Sequence, residues 1–94
     1  FLFLELKLCH AFGHGADTHQ LRFALPREAD VRLAVFDLQG RRIRDLANGV
    51  RAAGEHVVQW DLRDESGRAV GAGLYLARLD AGGQSLTEKI TALR

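Results

Sequence analysis

The sequence has 94 residues, of which 47% are hydrophobic and 27% charged, a composition typical of one soluble globular domain. Thirteen basic side chains and twelve acidic ones leave a net charge of +1, so the concentrated basic surface that marks nucleic-acid binders is not expected. No stretch approaches the roughly 20 apolar residues of a spanning helix, and one cysteine cannot form a disulfide within the chain. We therefore expect a globular module with no nucleic-acid partner and no transmembrane segment.

Apolar residues recur with a period of two along most of the chain, which predicts strands with one buried face. In chain order the candidate strands are residues 1–8, 21–25, 31–36, 42–46, 56–61, 74–79 and 86–92. Pro26 ends the second of them, and Gly40 is expected in a left-handed turn after the third. About seven antiparallel strands with such turns between them predict an all-β fold, an immunoglobulin-like β-sandwich.

The fourth candidate strand is less regular than the others. The segment has helical potential, but Asn48-Gly49 interrupts it and is expected to form a turn. Ile43 and Leu46 are three positions apart, a spacing compatible with a helical turn, a bulge or a strand that ends early. We interpret residues 42–46 as a short strand.

The predicted domain division places the sandwich at residues 21–94. Residues 11–20 are the nearest approach to a linker, so residues 1–20 are interpreted as an N-terminal strand and loop, or as the tail of a preceding domain. The inner faces of the sandwich are expected to enclose the following side chains, with the indole of Trp60 between the layers: Phe23, Leu25, Val31, Leu33, Val35, Val58, Trp60, Tyr75, Leu79 and Ile90.

One group of candidate metal ligands lies near the N-terminus. Cys9, His10, His14 and His19 provide the thiolate and imidazole groups that zinc prefers. Their spacing matches no fixed zinc motif, and a loop that holds histidines without a metal is the simpler interpretation. A metal-binding module is therefore only the third-ranked function, and no cofactor is predicted.

Three carboxylates precede a glycine in the segment between the fifth and sixth candidate strands. Asp61, Asp64 and Glu65 are oxygen ligands of the type that calcium takes. Aspartate and serine also cap turns by accepting hydrogen bonds from backbone amides. We prefer this structural role to a calcium site.

The sequence offers little that points to catalysis. Ser66 and Ser85 lie outside any Gly-x-Ser-x-Gly elbow. His56 shares a predicted face with Val58 and Trp60, which indicates a packed side chain rather than a general base. No glycine-rich loop joins a strand to a helix, so the chain is not expected to be an enzyme.

From residue 21 onward the chain resembles a known family of immunoglobulin-like domains. The stretches that carry the likeness are Phe-Ala-Leu-Pro at 23–26, Val-Arg-Leu-Ala-Val-Phe-Asp at 31–37, Ala-Gly-Glu-His-Val-Val-Gln-Trp-Asp at 53–61, Asp-Glu-Ser-Gly-Arg-Ala-Val at 64–70 and Gly-Leu-Tyr-Leu-Ala-Arg-Leu at 73–79. They are similar in order and spacing to the immunoglobulin-like domain of the flagellar hook-capping protein and, equally, to the C-terminal sorting domains of type IX secretion cargo.

The resemblance implies a non-catalytic module of a secreted bacterial protein. The first interpretation of the resemblance is a type IX sorting and surface-attachment signal. Secretion machinery or cell-surface proteins would recognise it, and a passenger domain would lie upstream. The expected location is then extracellular or at the cell surface, with the periplasm in transit. The resemblance places the sorting signal in residues 89–94, at Lys89, Ile90, Leu93 and Arg94. The alternative reading is a structural adhesion or assembly spacer of the hook-cap type.

Overall fold

The computed structural model describes the backbone of residues 5–13 and 16–92 and the side chains of residues 19–92. This part of the chain contains seven strands and no helix, which confirms the all-β prediction. The strands are β1 (Glu5–Gly13), β2 (Ala16–Leu25), β3 (Ala29–Phe36), β4 (Arg42–Arg51), β5 (Gly54–Trp60), β6 (Gly73–Ala81) and β7 (Gln84–Ala92).

The strands form two antiparallel sheets that pack face to face as an immunoglobulin-like sandwich. One sheet has the order β1-β2-β5 and the other the order β4-β3-β6-β7. β1 lies beside β7 and β4 beside β5, so the two sheets also meet along their sides. The pairing registers bring the connections after β1, β3 and β5 to one end of the sandwich, which we call the upper end.

The core lies between the sheets and consists of the alternate residues that the sequence pattern selects. Every predicted inner-face side chain is buried except Val58 and Tyr75, which are half-buried and pack against the core. Trp60 is the largest fully buried side chain. The sequence pattern misses Leu62, which is 1% exposed although it lies in the connection after β5.

β4 is longer than predicted and contains no turn. The pairing register with β3 shifts twice, next to Ile43 and next to Leu46, so each is the extra residue of a β-bulge. Both side chains pack against the core, which explains their spacing of three. Asn48-Gly49 was wrongly predicted as a turn, because Gly49 has a φ of 110° inside a continuing strand, a conformation that favours glycine.

The described residues of the segment interpreted as the nearest approach to a linker are strand. Residues 11–13 belong to β1 and residues 16–20 to β2, and β1 pairs with β2 from Glu5 opposite Ala24 to Gly13 opposite Ala16. Of the predicted first strand at residues 1–8, residues 5–8 belong to β1, which continues to Gly13, and residues 1–4 lie outside the described residues. The domain boundary predicted after residue 20 falls inside β2, which continues without a break to Leu25.

Candidate functional site

The predicted metal ligands lie at or near the β1–β2 hairpin. The strand register pairs His10 with His19 and Cys9 with Gln20. His19 is buried, and its ring is tilted beside the indole of Trp60 with ring centroids 6.4 Å apart. His14 and the side chains of Cys9 and His10 lie outside the described residues. The part of the chain that is described brings no three candidate ligands together, so a metal site here stays a prediction.

The Asp64 carboxylate caps the turn in which it lies. Its Oδ1 accepts hydrogen bonds from the backbone N–H of Ser66 at 2.9 Å, the Ser66 hydroxyl at 2.7 Å and the backbone N–H of Arg68 at 3.0 Å. The neighbouring carboxylate of Asp61 pairs instead with Arg44, whose Nη1 lies 3.0 Å from Oδ1 of Asp61. This geometry supports turn capping rather than the calcium alternative.

The connection after β5 is fastened to the free edge of β4. The Glu65 N–H donates to the carbonyl of Ile43 at 3.0 Å, and Oε1 of Glu65 accepts from the backbone N–H of Asp45 at 3.3 Å. The carbonyl of Arg63 accepts from the Trp60 indole N–H at 3.0 Å. These bonds therefore occupy backbone groups of β4 that an edge strand would otherwise leave unpaired.

The same turn occurs again between β3 and β4. Oδ1 of Asp37 accepts from the backbone N–H of Gln39 at 3.0 Å and of Arg41 at 2.9 Å, as Asp64 does two and four residues ahead. In both turns the glycine N–H donates to the aspartate carbonyl at 3.0 Å, and the glycine φ is 87°. The upper end thus carries two copies of one Asp-x-x-Gly-Arg turn. The sequence shows this pattern at 37–41 and 64–68, so the repeat is a signal from which the second capped turn could be predicted.

Hydrogen bonds to these carboxylates lower their pKa values. For Asp37 the largest cause is the backbone N–H of Arg41, and for Asp64 it is the hydroxyl of Ser66. A carboxyl whose pKa is lower in the folded than in the unfolded chain stabilises the fold fully above its unfolded pKa, about 3.9. That stabilisation is lost as the pH falls through the folded-state pKa.

We therefore expect the urea concentration at the unfolding midpoint to decrease as the pH is lowered below about 4. The double variant Asp37→Asn, Asp64→Asn should show a shallower decline, because it removes two of the groups that bind extra protons in the unfolded state. Urea titrations between pH 6 and pH 2.5 measure the effect. A double variant that follows the wild-type pH profile would contradict this account.

Two glycines of the connection after β5 allow a matched test of backbone conformation. A methyl group placed at Gly67 or at Gly71 meets no atom within 4 Å, but only Gly67 of the two has a positive φ. Gly67→Ala should therefore destabilise the chain by about 1–2 kcal/mol, the penalty of a left-handed non-glycine residue. Gly71→Ala should be neutral or stabilise by up to about 1 kcal/mol. Urea midpoints compare the two variants, and equal losses would argue against the turn geometry.

The predicted sorting residues divide between the surface and the core of the sandwich. Lys89 is exposed on β7, whereas the adjacent Ile90 is 0% exposed and pairs with Tyr75 of β6. Leu93 and Arg94 lie outside the described residues. Ile90 thus has a structural role, and a sorting role for this segment stays a prediction.

His56 is held in place by its neighbours. Its ring stacks on that of Phe23 with centroids 5.1 Å apart, and Nε2 lies 2.8 Å from the carbonyl oxygen of Ala52. The side chain is half-buried, which agrees with the packed role expected from the sequence. The described residues contain no helix of the length and apolarity that a bilayer crossing requires.

Comparisons with known proteins agree with one half of the resemblance. Residues 10–85 match the family model of the FlgD Ig-like domain. FlgD from P. aeruginosa has a similar structure, with a TM-score of 0.59 and 28% identity over 78% of this chain and 59% of that chain. The chain therefore spans only part of the length of that relative. No curated protein is significantly similar to the chain.

These matches support the resemblance to the hook-capping family and give no support to the resemblance to type IX sorting domains. The matched region includes the buried Trp60, the bulged β4 and both Asp-x-x-Gly-Arg turns. Since the family model covers more than half of the sequence, the chain belongs to the FlgD Ig-like domain family.

Proposed function

We propose that the chain is a non-catalytic assembly module of the hook-cap type, which works as a spacer or subunit contact through its surface. The observation that carries the proposal is the family match over residues 10–85. The similarity to the structure of P. aeruginosa FlgD at 28% identity agrees with it. The alternative prediction from the sequence is thus better supported than the first one.

The use of the polar side chains is consistent with a structural module. At the upper end, the carboxylates of Asp37 and Asp64 bind backbone amides of their own turns. Asp61 and Glu65 both pair with Arg44, at 3.0 Å and 3.6 Å. These contacts tie the loops to the sandwich, which suits a domain that presents a fixed surface to its neighbours.

A chimera tests the proposed function. The segment of P. aeruginosa FlgD that aligns with this chain is replaced by residues 1–94, and hook assembly and swimming are measured beside a strain that lacks the segment. We expect the chimera to assemble hooks and the deletion to fail. A chimera carrying Trp60→Ala is the control for folding. A folded, secreted chimera that behaves like the deletion would overturn the proposal.

Type IX sorting remains the competing proposal. It would place the module at the C-terminus of a secreted protein, with secretion machinery as its partner and the cell surface as its destination. Its support is the resemblance of residues 89–94 to the end of such signals. Export of a reporter fused to this chain in a type IX host would favour it over the hook-cap function.

A further inference from the structure

The outer face of the four-stranded sheet carries an apolar strip that does not belong to the core. Ala34, Phe36, Leu74 and Leu76 alternate with inward-facing residues on β3 and β6. None of them is part of the core cluster or packs against it. Leu74 is 42% exposed, Phe36 and Leu76 are half-buried, and Ala34 is only 2% exposed. The strip therefore lies on the side of the sheet that faces away from the other layer.

Basic side chains flank this strip on both sides. In the strand register Phe36 lies opposite Leu76 on one side and Arg42 on the other, and Leu76 lies opposite Lys89. One row of the sheet thus reads cation, apolar, apolar, cation across four strands. The next row towards the lower end brings Arg78 opposite Ala34. We call this surface the arginine-flanked strip.

The acidic residues on the same face are less exposed than the arginines. The side chains of Arg32, Arg42 and Arg78 are 54%, 44% and 52% exposed, against 27% for Asp45 and 39% for Asp80. Each aspartate pairs with an arginine beside it, as in the 3.1 Å contact of Arg78 Nε with Asp80 Oδ1. A partner that approaches this face meets guanidinium groups first.

A groove of about 520 Å³ lies between Arg32, Arg42 and Arg78, and the rest of its lining is Ala34, Phe36, Gly40 and Asp80. An arginine has five N–H donors, so a guanidinium can hold its neighbouring aspartate and also donate to a second carboxylate. An extended peptide places alternate side chains on one side. Its apolar residues can then lie in the groove while its acidic residues reach the flanking cations.

We propose that the arginine-flanked strip is a docking surface for an acidic segment of a partner protein in which carboxylates alternate with apolar side chains. The proposal rests on the proposed assembly function for the assumption that the partner is a protein. The charge and apolar pattern of the docking segment are inferred from the residues of this face. Nucleic acid fits it poorly, because Asp45 and Asp80 lie among the cations and a phosphate backbone needs a more uniformly basic surface.

A peptide titration tests the docking surface. The probe is a capped hexapeptide that alternates glutamate and leucine, added to the ¹⁵N-labelled chain at low salt while amide shifts are recorded. We expect shifts centred on Phe36, Leu76 and their cationic neighbours, and weaker binding as salt is raised. A lysine–leucine peptide of the same length should not bind there. Equal binding of both peptides, or shifts confined to another face, would overturn the proposal.

Charge reversals provide the matched variants. Arg42→Glu with Lys89→Glu should weaken binding of the glutamate–leucine peptide by about tenfold or more. Arg22→Glu, an exposed position on the three-stranded sheet, should change it less than about twofold. Lys89→Glu alone serves if the double variant melts early, and thermal unfolding of each variant checks its fold. A loss of similar size in Arg22→Glu would contradict a specific surface.

Two further results separate this proposal from the proposed function. Stronger binding of heparin or of anionic vesicles than of the glutamate–leucine peptide would show a general anion site and overturn protein docking. The titration needs no flagellar host, so an inactive chimera with normal peptide binding would refute the hook-cap function alone. A chimera that assembles hooks equally well with Arg42→Glu and Lys89→Glu would refute the docking surface alone.

Discussion

Trp60→Ala is expected to lower the free energy of unfolding by about 3–5 kcal/mol, the range for removal of a buried aromatic side chain. The indole is 0% exposed and meets the ring of Tyr75 edge-on, with centroids 5.4 Å apart. Its N–H also donates to the carbonyl of Arg63 at 3.0 Å. Small domains are stable by only about 5–15 kcal/mol in total. The variant should therefore be largely unfolded in urea concentrations that leave the wild type folded.

Trp60→Phe is the matched control, because it keeps an aromatic ring and removes the indole N–H. The Arg63 carbonyl also accepts from Nη1 of Arg44 at 3.3 Å, so it is not left without a donor. We expect a smaller loss than in Trp60→Ala. Far-ultraviolet circular dichroism must follow both transitions, since the chain has one tryptophan. A Trp60→Ala variant with the wild-type urea midpoint would show that the core is elsewhere.

The burial of Trp60 could be predicted from sequence because it follows from strand periodicity. The residue shares a face with Val58, and alternate residues of a strand point to the same side. Leu62 could not be predicted in this way. Its φ is 62°, a conformation rare for a leucine, and only the folded connection after β5 turns its side chain into the core. Apolar and polar residues alternate only within a strand, so this alternation gives no prediction for a residue in the connection after β5.

The bulges of β4 show a second limit of sequence analysis. The spacing of Ile43 and Leu46 fits a helix, a bulge or a short strand equally well, because each arrangement can place both residues on one side. The choice depends on pairing with β3, where the register shifts twice. Whether Gly49 lies in a turn or in a strand likewise depends on its pairing with Val31 of β3. Non-local pairing, rather than local propensity, decides such cases.

For the candidate site, the sequence predicted the capping role of Asp64 but not its twin at Asp37. The arginine-flanked strip was likewise missed, because its four members in one row, Arg42, Phe36, Leu76 and Lys89, come from four strands. Each is an unremarkable residue in its own strand. Only the antiparallel register brings two apolar side chains between two cations, and sequence periodicity does not specify which strands become neighbours.

Ile90→Ala is the second substitution for which we expect a large effect, about 2–5 kcal/mol of lost stability. Ile90 is 0% exposed and belongs to the central core cluster. Lys89→Ala, at the exposed neighbouring position, should change stability by no more than about 0.5 kcal/mol. Urea midpoints measured by tryptophan fluorescence compare the two variants. Equal losses would contradict the assigned burial.

The same pair separates a sorting signal from a requirement for folding. Each variant is fused to a reporter and expressed in a type IX host. If residues 89–94 act as a signal, Lys89→Ala should reduce export although the chain stays folded. If the segment serves only the fold, Lys89→Ala should match the wild type in the export assay, and Ile90→Ala should fail only where its domain unfolds. Under the hook-cap proposal we expect this second outcome, because burial of Ile90 in the sandwich accounts for its presence in β7 without any receptor.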